Sequence, residues 1–168
     1  MIKQFNTLLP VKSSLISLYL ALTIPFPFIS SEQLKITSII AFFFGFLLIV
    51  NITNDFVEVC DQKISYKTNY LSEILGRKSW ELFWKDIKLI KSFSTSQGSK
   101  VYYFITDKGK SFLVPQRVEK FEEFLIIISK KTGIDVNTLN YISPLWTYKL
   151  LTVLSISMIT GEVISFYF

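Results

Sequence analysis

Residues 36–52 read ITSIIAFFFGFLLIVNI, 17 residues without a charge, and this run decides how the chain is built. A bilayer core of about 30 Å takes roughly 20 apolar helical residues, with a working range near 17–25. The run sits at the short end of that range and reads as a membrane span. Two more stretches behave alike. Residues 13–29 carry no charge in 17 positions, and residues 150–168 carry one, Glu162, in 19. Residues 55–142, between the second and third runs, hold 11 of the 13 acids and 14 of the 18 bases. The chain is 50% hydrophobic and 18% charged over 168 residues, against about 25% charge in a soluble domain. Three buried core helices are the competing reading. The middle segment is too small to cover three uncharged helices, so spans are the better account.

The first run is not read as a cleaved signal peptide. No Ala-x-Ala site follows it, Pro25 and Pro27 break its end, and the second run starts six residues later. Residues 30–35 therefore join two antiparallel spans. The prolines sit near the far end of the first span, where few helical hydrogen bonds remain to be lost. The expected division is a transmembrane hairpin over residues 1–53, a β domain over 54–142 and a third span over 143–168.

Orientation follows from Lys and Arg. Lys3 and Lys12 precede the first span, the hairpin turn carries only Lys35, and 14 bases lie in the middle domain. The N-terminus and β domain are thus expected on the cytoplasmic or stromal side, with the C-terminus opposite. Lys149 lies just before the third span. Trp146, Tyr148, Tyr167 and Phe168 bracket that span as an aromatic belt does.

The chain has no His, which removes Ser-His-Asp hydrolysis, Cys-His proteolysis, His-ligated haem and most zinc sites. The single Cys60 reads as a small apolar side chain in a strand rather than a reactive thiol. Gly109-Lys110-Ser111 imitates the end of a P-loop but lacks the upstream glycine, and it sits in an expected hairpin. Glu122 and Glu123 are the one adjacent pair of carboxylates, which gives acid–base chemistry no cleft. The expectation is a non-enzymatic protein with no cofactor, no metal, no small-molecule substrate and no nucleic-acid partner. Acids interleave with the bases and Arg is scarce, which argues against nucleic acid.

The middle domain alternates as strands do. Phe56, Val57 and Val59, then Ile64 and Tyr66, flank a turn at residues 61–63. Trp80, Leu82 and Trp84 alternate with Glu81 and Phe83, and Ile87, Leu89 and Phe93 follow after a kink near Asp86. Residues 94–100 are a polar loop. Residues 101–106 and 111–114 form a hairpin turning at 107–110, and Pro115 ends the sheet. Val118, Phe121, Leu125 and Ile128 then recur at helical spacing, predicting a helix over about 117–131 capped by Gly133.

Two spans, a strand meander and one closing helix resemble the bacterial pleckstrin-homology-like domains that follow a transmembrane hairpin. The run Trp84-Lys85-Asp86-Ile87-Lys88-Leu89-Ile90 resembles their recurrent Trp-x-Asp-Ile strand, and the likeness covers residues 37–133. It implies an antiparallel β sheet or barrel closed by a C-terminal helix. The chain also resembles an uncharacterised cyanobacterial and plastid-type membrane protein family. That likeness rests on Thr95-Ser96-Gln97-Gly98 followed by Val101-Tyr102-Tyr103-Phe104. Further matches are Leu113-Val114-Pro115-Gln116-Arg117-Val118, the helix end Thr132-Gly133-Ile134-Asp135, and Pro144-Leu145-Trp146-Thr147-Tyr148. It implies a thylakoid or plasma membrane protein, with membrane lipids and subunits of a membrane complex as partners. An accessory role in photosystem assembly is part of the same expectation.

Four groups of residues stand out for contact. Thr95, Gln97, Gly98 and Lys100 offer a polar loop to an anionic headgroup or a partner's acidic loop. Arg77, Lys78 and Lys85, with Lys88 and Lys91 beyond, form a basic cluster suited to anionic lipid. Thr37, Ala41 and Gly45 in the second span, and Ser157, Gly161 and Ser165 in the third, repeat every four residues. Small residues at that spacing let helices approach closely, so these faces are expected to meet each other or a partner's helix. Glu162, an intramembrane carboxylate, completes the set.

Overall fold

The structure, a computed structural model, describes residues 2–167. Phe168 lies outside the described residues, as does the side chain of Tyr167, and with them that half of the expected aromatic belt. The chain divides into two units. Residues 1–8 and 54–144 form one, and residues 9–53 and 145–168 form the other.

The first unit is α+β with two antiparallel sheets. Strands β1 (Lys3–Asn6), β2 (Phe56–Val59), β3 (Lys63–Lys67) and β4 (Trp80–Phe83) lie in that order in one sheet. Strands β5 (Ile87–Ser94), β6 (Lys100–Thr106) and β7 (Ser111–Leu113) form the other. The sheets do not close into a barrel, which corrects that part of the expectation. A single 3-10 turn at Trp84–Asp86 separates β4 from β5, so the sequence kink at Asp86 becomes the break between sheets.

One strand was invisible in the hydropathy pattern. β1 precedes the first span, yet it pairs with β2, with Phe5 opposite Val57. The hairpin is therefore inserted between two adjacent strands of one sheet. Phe5 is 2% exposed, and its ring lies 5.4 Å from that of Phe124. Burying a Phe of this kind is worth several kcal/mol, which is what holds so short a strand in place.

Helix α5 (Phe121–Thr132) starts four residues later than the spacing predicts. Residues 117–119 are occupied otherwise. Val118 bridges to Thr7, the Leu8 N–H donates to the Arg117 carbonyl at 2.8 Å, and the Glu119 N–H donates to the Asn6 carbonyl at 2.9 Å. α5 lays Phe121, Phe124, Leu125 and Ile128 on the core. Glu122 and Glu123 stand at its N-terminus and Lys130 and Lys131 at its C-terminus, each favourable to the helix dipole. Gly133 ends it at φ +71°, a left-handed value that costs glycine nothing. A short helix that the sequence reading did not include, α4 (Tyr70–Ile74), is capped by Asn69, whose side chain accepts from the Ser72 N–H at 2.9 Å. Cys60 lies in the turn after β2 rather than in a strand, and its carbonyl accepts from Trp84 Nε1 at 2.9 Å.

The second unit holds α1 (Leu9–Thr23), a short α2 (Phe26–Ile29), α3 (Glu32–Ile52) and α6 (Leu145–Tyr167). Three helical segments, Leu9–Ile29, Glu32–Ile52 and Leu145–Phe166, are long and apolar enough to cross a membrane, with mean hydropathies of 1.4, 2.1 and 1.5. α1 is the helix on which the others pack. Tyr19 donates its hydroxyl to the Phe42 carbonyl of α3 at 2.6 Å. On another face of α1, Val11, Ser14, Ser17 and Ala21 are buried. Beyond the first turn of α6 the covered positions, Leu151, Thr152, Ser155, Ile159 and Glu162, fall at intervals of three or four residues on one face.

Candidate functional site: an exposed aromatic and lysine face on the second sheet

The strands β5, β6 and β7 present two faces of different character. Side chains alternate along a strand, so Tyr102, Phe104 and Val114 point into the core while their neighbours point away. The outward set is Leu89, Lys91 and Phe93 on β5, Val101, Tyr103 and Ile105 on β6, and Leu113 on β7. Register aligns them in rows, with Leu89 opposite Ile105, Lys91 opposite Tyr103, Phe93 opposite Val101, and Tyr103 opposite Leu113. Six of these residues, with Ser111, line one shallow groove.

The face is apolar yet left open. Phe93 is 46% exposed, Leu113 48% and Leu89 41%. Phe93 and Tyr103 meet edge to face, with centroids 5.6 Å apart and planes at 83°. Lys91 Nζ lies 5.2 Å from the centre of the Phe93 ring, where the quadrupole holds a cation. Charge on this sheet has one sign. Residues 87–106 include Lys88, Lys91 and Lys100 and not one acid. The apolar side chains are thus gathered in one strip rather than scattered singly over the sheet.

The polar loop lies at one end of this face. Residues 94–100 make a tight turn between β5 and β6, with the Thr95 N–H donating to the Ser99 carbonyl at 2.7 Å and the Gly98 N–H to the Thr95 carbonyl at 3.0 Å. Gly98 has φ +78°, which reserves the position for glycine. Thr95 Oγ1 accepts from the Ser99 N–H at 3.1 Å, so its hydroxyl stabilises the turn. Gln97 and Lys100 remain exposed.

The basic cluster is separated by the fold. Arg77 and Lys78 precede β4 and Lys85 follows it, about 13 Å of strand apart. Arg77 Nη1 donates to Asp55 Oδ2 at 2.8 Å, and that carboxylate is 3% exposed. Tyr66 Oη donates to Asp55 Oδ2 at 2.8 Å and Ser72 Oγ donates to Oδ1 at 3.2 Å. Burial, and then the bond to Asp55, push the Tyr66 phenol well above its ordinary pKa. Arg77 is thus part of a structural network, whereas Lys78 and Lys85 are exposed. Lys85 Nζ lies 5.8 Å from the centre of the Phe83 ring.

The small-residue faces of the spans do not face each other. Gly45 meets Tyr19 of α1: a Cβ there would lie 3.0 Å from Tyr19 Cζ and closer still to the hydroxyl. Thr37 and Ala41 are exposed, as are Ser157, Gly161 and Ser165, and a Cβ on Gly161 would meet nothing within 4 Å. The sequence reading missed the stripe Ser14, Ser17 and Ala21, although its spacing of three and four was there to be read. Among the described residues no group of three or more Cys, Asp or Glu is placed to hold a metal ion.

Fold and face define a class: an α+β protein with three helices fit to span a membrane and an open apolar face on its second sheet. The chain is 31% identical over 147 residues to the uncharacterized protein slr0269 of the cyanobacterium Synechocystis sp., a match covering 84% of this chain and 74% of that one. It belongs to that cyanobacterial family. No family profile matches the chain, and no solved structure matches it.

Proposed function

We propose that this chain is a non-enzymatic, multi-pass membrane protein that docks a subunit of a larger membrane complex through the outer face of β5–β6–β7. The observation that carries the reading is the open apolar strip of Leu89, Phe93, Tyr103 and Leu113, on strands that carry lysines and no acids. The partner surface that fits it is apolar at its centre and acidic at its rim. The setting proposed with it is a photosynthetic membrane, and the task an accessory or assembly role.

Topology supports the anchoring. Because β1 pairs with β2, the two ends of the intervening hairpin return to one sheet, which suits two crossings of a bilayer. The bias of Lys and Arg supports the cytoplasmic or stromal side for that unit.

A second reading has its own support. Four strands, then three, then a helix is the order of a pleckstrin-homology-like domain, and a lysine-rich aromatic face suits anionic headgroups. The two readings separate on one comparison. Full-length protein in zwitterionic nanodiscs is mixed with vesicles of pure phosphatidylcholine or with one third phosphatidylglycerol. Salt-dependent capture by the anionic vesicles alone favours lipid. Absence of capture, with loss of the native complex on Phe93→Ser, favours the protein partner.

A further inference from the structure

We propose that Glu162 and the proline break between α1 and α2 form a binding site for a small monovalent cation within the helical unit. Two registers place the residues. Ser13 Oγ of α1 lies 3.4 Å from Thr152 Oγ1 of α6, and the ring of Phe28 lies 4.9 Å from that of Phe166. The two helices therefore run parallel with a constant offset, and Glu162 is level with Thr23 and Ile24. Glu162 also follows Ser155 by two turns, on the face that α6 turns toward α1.

At this level the backbone of α1 is broken. Pro25 and Pro27 have no N–H, so the carbonyls of Ala21 and Thr23, four residues earlier, lose the donors that an unbroken helix supplies. Helix α1 stops at Thr23, and the chain restarts as α2 with the Phe28 N–H donating to the Pro25 carbonyl at 3.0 Å. The Thr23 hydroxyl is already committed to the Tyr19 carbonyl at 2.7 Å. Opposite the break, Glu162 Oε2 is the one buried side-chain oxygen among the described residues without a hydrogen-bond partner.

A buried carboxylate oxygen and two carbonyls deprived of their helical donors thus stand at one level of the helix pair. A carboxylate oxygen and freed carbonyls are all hard oxygen ligands, and a cation held between them satisfies them together. Unwound carbonyls beside a carboxylate are a membrane protein's means of coordinating such an ion. One carboxylate supplies one negative charge. A monovalent ion leaves the site neutral, whereas a divalent ion strands a net charge in apolar surroundings.

The test uses the full chain in zwitterionic nanodiscs, with helix content followed by circular dichroism during heating. Lithium, sodium or potassium chloride is exchanged against N-methylglucamine chloride at constant ionic strength and pH. The expected result is a saturable rise in melting midpoint with one alkali cation, abolished in Glu162→Gln and weakened in Glu162→Asp. Restoring the N–H donors with Pro25→Ala and Pro27→Ala is expected to blunt the same response. Sodium or lithium NMR line broadening on the wild-type chain reads the binding directly if a variant fails to fold. A midpoint and line width indifferent to every alkali cation overturns the proposal. So does a midpoint that follows pH alone, or an undiminished cation response in a folded Glu162→Gln chain.

Discussion

Asp55 and Arg77 are joined by a 2.8 Å ion pair in which the carboxylate is almost fully buried, and the arginine's partner thereby also gathers Tyr66 and Ser72. The arginine side chain is about half exposed, so the pair's value lies less in charge than in satisfying a buried carboxylate. Asp55→Ala removes the acceptor from three donors at once and is expected to cost about 3 kcal/mol. Urea unfolding of the full chain, read by the buried Trp84, measures it. A loss under about 0.5 kcal/mol contradicts the network's role. Lys78→Ala, one residue on, is expected to leave the midpoint unchanged.

β1 is expected to be essential despite its four residues. Phe5→Ala opens a cavity against Phe124 and is expected to cost about 3–5 kcal/mol. Gln4→Ala, on the exposed side of the same strand, is expected to cost little. Equal effects from the two substitutions would mean that β1 does not pack as described.

Tyr66 sets an alkaline limit. Its phenol has a folded pKa raised above the ordinary 10.0, first by burial and then by its bond to Asp55. The neutral form's contribution is therefore intact below about pH 10 and lost as pH rises past it, because the unfolded chain ionises first. Urea midpoints of wild type and Tyr66→Phe measured from pH 8 to 11 are expected to converge at the alkaline end. Curves that stay parallel throughout would remove Tyr66 as the cause.

A side chain at Gly45 is expected to displace Tyr19. Gly45→Ala drives a methyl into the Tyr19 ring and breaks the bond from its hydroxyl to the Phe42 carbonyl, at about 1–3 kcal/mol. Gly161→Ala meets open space and is expected to be silent in the isolated protein. Thermal midpoints of the two variants in one detergent compare them directly.

Much of this was written in the chain. Uncharged runs mark all three helices that are long and apolar enough to span a membrane, because a bilayer imposes a length and a polarity that local sequence must satisfy. Alternation marks β2 through β7, and Gly133 marks the end of α5. β1 escaped because four residues carry too little pattern, and its partner lies beyond an inserted hairpin. The separation of Arg77 from Lys85 escaped because nearness along a chain says nothing of which side of a strand, or which buried acid, claims a base. The open face on β5–β7 was legible only in part. Alternation shows two faces, but not which of them the core leaves uncovered.

The most direct test of the docking account is co-migration in native gels of gently solubilised host membranes. Wild-type chain is compared with a Phe93→Ser, Leu113→Ser double variant, and with Ile126→Ser, which alters an exposed residue of α5, as the control. The account predicts that wild type and control run with a larger membrane complex. The double variant is predicted to stay in the membrane, equally stable, and run free of that complex. A double variant that still co-migrates, or a wild-type chain that never does, contradicts it.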